Sequence, residues 1–198
     1  MSTKALEVLA EMDASMMVID EYIGNFMAFT CTIWMLMAFL GYTMVESSLT
    51  RQHNHKFVFY RNASIMMATF FFFFLVGYYL STDADGGLIG KNQSKFEEMT
   101  TSKQSDYLIL FSANLIAVQI LNSATAERVY LGVNLSYTVF ITVILFPLTS
   151  SWVWGDGWLK ELGFIDFSGA GVVHAVSGFG CLIATLILGP RLEIHGKS

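Results

Sequence analysis

An imidazole inside an apolar run is the first group in this 198-residue chain whose chemistry needs explaining. His174 lies in a stretch, Phe167 to Leu188, that holds no Asp, Glu, Lys or Arg. An ionisable side chain in such a run is costly in lipid and defaults to a functional role. Gly171 stands three positions before it and Gly178 four after, which on a helix puts both on one stripe with His174 and Ala175. Small residues along a stripe let a neighbouring helix approach closely, so His174 is expected to point at protein. Two readings fit: a polar point in a conduction path, or an interhelical hydrogen bond.

Asp166 precedes that run. Its carboxylate can accept first-turn N–H groups and complement the helix dipole, and the same charge could draw a cation to a pore mouth. The segment 150–158 carries Trp152, Trp154 and Trp158. Tryptophans cluster at membrane interfaces for their amphipathic rings, and an indole face can also hold a cation.

The remaining polar groups read as structural. Glu127-Arg128 suits a helix end, and Asn114, Gln119, Asn122 and Asn134 are placed to hydrogen-bond between helices. His53 and His55 sit beside Arg51 and Lys56 with no carboxylate or thiol partner, so no metal is expected. Cys31 and Cys181 fall in apolar runs as small packing residues, without a disulfide or zinc pattern. No nucleophile–base arrangement, phosphate-cradling loop or acid pair is present, so neither an enzyme activity nor a cofactor is expected.

The elements that must position these residues are membrane spans. The chain is 54% hydrophobic and only 14% charged, against about 25% charged in soluble domains. Its apolar runs reach the roughly 20 residues that cross a bilayer. About five spans are expected: 24–45, 63–80, 107–126, 130–152, and one from near Asp166 to the Gly189-Pro190-Arg191 stop, where proline cannot continue helical bonding. The organisation is therefore an acidic amphipathic segment over 1–22, a five-helix transmembrane domain over 23–191 and a tail over 192–198. A net charge of -5 gives no basic footprint for nucleic acid. Arg51, Lys56, Arg61, Arg128, Arg191 and Lys197 on one side, against Lys4, Lys91, Lys95, Lys103 and Lys160, lean slightly toward an internal C-terminus.

The run from Asp166 through Phe167-Ser168-Gly169-Ala170-Gly171-Val172-Val173 to His174, closing in Leu188-Gly189-Pro190-Arg191, resembles the fifth-helix signature of the Amt/Mep/Rh ammonium transporters. Ser151 to Trp158 is similar to that family's S-H-W-F-W-x-x-D-G-W, and Ala126-Glu127-Arg128 to its A-E-R. The resemblance covers roughly 107–191 and implies an all-α fold, the first half of an eleven-helix inverted repeat. It implies that Trp154 holds ammonium, Asp166 supports that site and His174 is the first of two pore histidines. It also implies a missing second half. Where the family places a gate phenylalanine this chain has Ala113, with Phe111 turned away by about 200°, and Glu46 to Arg51 replaces a glycine-containing turn.

Physics then favours a half-length, structural membrane subunit of a larger assembly, non-conducting alone, because lipid against His174 would leave polar groups unsatisfied. Its partners are the bilayer and other subunits covering the His174 face. The alternative is ammonium or ammonia transport after pairing with a second half or with itself, and a piece of a longer product is a third reading. The family points to the plasma membrane; a subunit of a large assembly could sit in an organellar membrane such as the mitochondrial inner membrane.

Overall fold

The computed structural model describes residues 3–91 and 100–190, with side chains from residue 11 onward. The 192–198 tail, Arg191 and Lys95 lie outside the described residues. Five helices are long and apolar enough to cross a membrane, and no strand occurs among the described residues.

Helix α1 runs unbroken from Thr3 to Leu49. At 1.5 Å per residue this is about 70 Å, more than twice the hydrocarbon thickness of about 30 Å. No break separates the acidic segment from the first span; one helix carries both. Helix α2 spans Gln52–Ser81, opening with a 3-10 turn at Gln52–Asn54 and holding a π turn at Phe73–Gly77. Helix α3 covers Thr101–Ala124. Helix α4 covers 131–153, with a π turn at Ile141–Leu145. A short turn at Trp158–Glu161 follows, and helix α5 covers Ala170–Leu188, its first turn (Ala170–Ala175) π-helical.

The spans alternate in direction, as bonds between their connections show. On one side Ala84 N–H donates to Gly155 O and Gly86 N–H to Asp156 O, both at 2.7 Å. On the other, Arg51 N–H and Asn54 Nδ2 both donate to Glu127 Oε1, at 3.0 and 2.6 Å. Glu127, read from sequence as a helix-end residue, thus ties two connections together from a left-handed backbone (φ 59).

Helix α3 is the centre of the bundle and the most deeply buried of the five spans. Around it Phe73, Tyr107, Phe111 and Phe146 form an aromatic layer with ring centroids 5.7–6.3 Å apart, a spacing suited to edge and offset contacts. Five consecutive phenylalanines over 70–74 divide by register: Phe73 is fully buried, whereas Phe70, Phe71 and Phe74 are exposed.

One correction to the sequence reading concerns charge. Arg61, counted above among loop cations, is 2% exposed inside α2 and pairs with Glu46 of α1, itself 4% exposed. Asn62 donates to Glu46 Oε2 at 2.9 Å and to Thr43 Oγ1 at 3.1 Å, and Gln119 of α3 donates to Glu46 Oε2 at 3.2 Å. The pair is thus embedded in hydrogen bonds from three spans, as a buried ion pair requires. With Arg61 removed from the count, the lean toward an internal C-terminus disappears. A second knot joins Asn122 to Thr138 (3.3 Å), while the Tyr137 hydroxyl donates toward Asn122 Oδ1 (2.7 Å) and Asn134 Oδ1 (3.1 Å). Gln119 and Asn122 therefore bond between helices; Asn134 bonds within its own, and Asn114 has no partner among the described residues. Cys181 packs against α3 with its thiol toward Ile120 O, but Cys31 is exposed on the outer face of α1.

Candidate functional site

The connection from α4 to α5 builds the site. Helix α4 ends at Val153, and Trp154 N–H caps it by donating to Ser150 O at 2.7 Å. The neighbouring connection holds this corner: Trp152 Nε1–H donates to Leu88 O at 2.8 Å. Gly155 lies against Ser81 O, where an added Cβ would come within 2.6 Å, and only glycine permits that approach. The Trp154 ring meets Phe146 of the aromatic layer edge to face, centroids 6.2 Å apart. The indole is thus held against α4, and it also lines a cavity.

Asp166 sits four residues before α5. Gly171 N–H donates to its Oδ1 at 2.7 Å and Val172 N–H to its Oδ2 at 3.3 Å. Both are first-turn donors that would otherwise lack intrahelical partners, so the carboxylate caps the helix and complements its dipole. A Cβ on Gly171 would lie 3.3 Å from Asp166 Oδ1, a tight contact that the capping carboxylate would have to ease. Ser168 (φ 54) and Gly169 (φ 75) turn the chain back into the helix.

His174 lies in the first, π-helical turn of α5, closer to its start than the sequence reading placed it, because the helix begins at Ala170 and not near Asp166. His174 is exposed. Ala175 and Gly178 are exposed beside it, and a Cβ on Gly178 would meet nothing within 4 Å. The close approach of α5 to the bundle is made by Gly180, where a Cβ would stand 2.6 Å from Leu121 Cδ1. Ala175 and Gly178 therefore face away from the described bundle, and His174 stands at its edge.

Trp154, Asp166 and His174 nevertheless line one cavity of about 490 Å³, together with Ala113, Ile109 and Ile116 of α3. Met35, Ala38 and Tyr42 of α1 complete the wall. These three were missed in the sequence; their spacing of three and four residues on one face of an apolar helix was the available signal. Ala113, where the resemblance leads one to expect a phenylalanine, is among the lining residues. Phe111 does not line the cavity: it is buried in the aromatic layer, stacked on Tyr107 at an interplanar angle of 7°.

On this wall stand an indole, a carboxylate and an imidazole, groups that can attract a small cation; Asp166 and His174 are the ionisable lining groups besides Tyr42. No group of three or more His, Cys, Asp and Glu that could hold a metal occurs among the described residues.

Comparison with known proteins shows which family the chain is related to. The model of the Ammonium Transporter Family matches residues 25–198. Ammonium transporter Amt2 of Archaeoglobus fulgidus is 29% identical over 180 residues, covering 83% of this chain and 38% of that protein. Ammonium transporter 1 member 1 of Arabidopsis thaliana is 34% identical over 135 residues, covering 61% of this chain and 27% of that protein. Among solved structures, a Sensor Amt Protein superposes with a TM-score of 0.82 at 30% identity, over 88% of this chain and 46% of that one. The chain thus spans less than half the length of the relatives it matches.

Proposed function

The chain belongs to the ammonium transporter family, and from that premise we propose that its five spans form one wall of an ammonium recruitment site and permeation path. The observation that carries this reading is the convergence of Trp154, Asp166 and His174 on one cavity. Ammonium arriving from the side of the 154–169 connection meets the Trp154 indole, and a cation over its ring would gain about 0.5–2 kcal/mol depending on desolvation. Asp166, held by two backbone donors, adds negative potential without being free to swing onto the cation. Deeper, the lining is Ile109, Ala113, Ile116 and Val173. A charge cannot follow cheaply into such a lining, so ammonium would leave its proton on water at the mouth, and His174 is the polar group that the resulting ammonia would meet next.

His174 is open on its outer side, so the path needs a second wall. A further segment of a longer protein, a second half or a neighbouring copy supplies it, packing on the stripe of His174, Ala175 and Gly178. Gly171, under the Asp166 cap, keeps the turn before that stripe narrow.

A second reading, a structural subunit of a larger membrane assembly that does not conduct, is favoured by Ala113. With a methyl group where the family has a gate phenylalanine, the cavity has one ring fewer to enclose a cation.

Binding of radiolabelled methylammonium to the detergent-purified protein, together with whatever subunits co-purify, separates the two. The recruitment reading expects saturable binding competed by ammonium and weakened about tenfold, roughly 1.4 kcal/mol, in Asp166→Ala. Binding that is absent, or indifferent to this substitution, leaves the structural reading standing.

A further inference from the structure

Helix α1 is longer than the membrane requires. Its C-terminal end lies beside the contact between Arg51 and Glu127, and even a long span uses only about 25 residues. Residues 11–23 therefore project beyond the hydrocarbon, on the side of the Trp154 corner. Every residue from 11 to 24 is exposed, so the described bundle covers none of this stretch. Yet it is not polar all round: Met12, Met16, Ile19 and Ile23 are 54–62% exposed. A lone helix in water is marginal, and helices in proteins are held mainly by packing an apolar face. The family match begins at residue 25, so this stretch lies outside it.

The four residues are spaced four, three and four apart, the step of a heptad seam. That step continues into the membrane without a break through Phe26, Thr30, Ile33, Met37, Leu40 and Met44. Thr30 is the one polar member, and its hydroxyl donates to Phe26 O inside the helix at 2.8 Å. The other nine members of the seam are all exposed. The bundle holds the far side of α1, where Ala28, Thr32, Phe39 and Glu46 are buried. At 3.6 residues per turn these lie across the helix from the seam. One stripe of α1 is thus taken by its own bundle, and the opposite one is left without a partner.

We propose that α1 pairs along this seam with α1 of a second copy of the chain, in a parallel coiled coil that continues past the membrane surface to Met12. The seam covers more than four heptads, beyond the three or four that mark a coiled coil. Copies inserted with one topology present α1 in the same direction, as a parallel seam demands. The charges agree: Glu11, Asp13, Asp20 and Glu21 all lie off the seam. Of the flanking residues that meet across a parallel pair, Ser15 faces Asp20 and Tyr22 faces Met27, so no acid opposes an acid. Lipid can cover the seam inside the membrane but not Met12 to Ile23, which stand in water. A partner drawn by the acids would engage their side of the helix, whereas the charge-free seam is complementary to itself.

Single cysteines introduced into the full chain, in a Cys31→Ala and Cys181→Ala background, test the seam in native membranes under mild oxidation. Met12→Cys and Ile19→Cys should each give a disulfide-linked pair of this chain. Seam positions of facing helices stand within disulfide reach, with Cα atoms about 4.4–6.8 Å apart. Ala14→Cys and Glu21→Cys, on the far side of α1, should give none. Adding Met16→Asp and Ile23→Asp should abolish the Met12→Cys pair, and the same two charges at Ala14 and Val18, off the seam, should leave it. No pair at the seam positions, pairs equally frequent on the far side, or links to a different polypeptide alone would overturn the proposal. So would a Met12→Cys pair that survives the two seam aspartates.

Discussion

Asp166 has two duties that substitution can separate. It caps α5 through Gly171 and Val172, and its charge faces the cavity beside Trp154. Asparagine keeps an acceptor for Gly171 N–H but no charge, whereas alanine removes both. Asp166→Asn should therefore leave the thermal midpoint in detergent close to that of the parent, while Asp166→Ala loses about 1 kcal/mol of capping. Both should weaken methylammonium binding alike; a large midpoint loss in the asparagine variant would show that the charge itself holds the fold. At this scale the sequence was informative. Asp166, His174 and Trp154 stood out because their chemistry is rare in apolar surroundings and their intervals are fixed. Tyr42, Met35 and Ala38 did not, since an apolar helix offers many equivalent faces and only packing selects one. Arg61 was hidden for the opposite reason. It follows a polar stretch from Arg51 to Lys56 and reads as loop, while its partner Glu46 lies across the turn on the preceding helix.

At the scale of the elements, the Glu46–Arg61 pair locks α1 to α2, and Gln119 joins α3 to the same carboxylate. Removing one partner of a buried pair strands the other charge and costs about 3–5 kcal/mol, whereas replacing both by apolar residues of similar volume is often neutral. Glu46→Gln and Arg61→Met should each destabilise the protein strongly, and Glu46→Leu combined with Arg61→Met should recover much of the loss. A double variant as unstable as the sum of the singles would show that the pair is not an isolated unit. The number of helices and their approximate spans were legible because lipid demands long apolar runs. Three π turns were not, at Phe73–Gly77, Ile141–Leu145 and Ala170–Ala175. They arise where packed spans adjust register, and residue periodicity does not encode that. The last of these changes the angular relation between Gly171 and His174, and the close contact of α5 with α3 accordingly falls to Gly180.

For the whole molecule, the outer face of α5 decides what the protein can do. His174, Ala175 and Gly178 are exposed there, with Phe179 and Leu182 alongside. An imidazole against hydrocarbon would have no partner, so the account requires protein over this stripe. A photo-cross-linker placed at Gly178 in native membranes should capture polypeptide; capture of lipid alone would remove the second wall and the path with it. The most direct measurement is methylammonium uptake into vesicles holding the protein with its co-purifying subunits, beside vesicles holding the chain alone. The account predicts uptake above empty vesicles in the first, lost in His174→Ala, and none in the second. Uptake equal to empty vesicles in both, with the assembly intact, would contradict it.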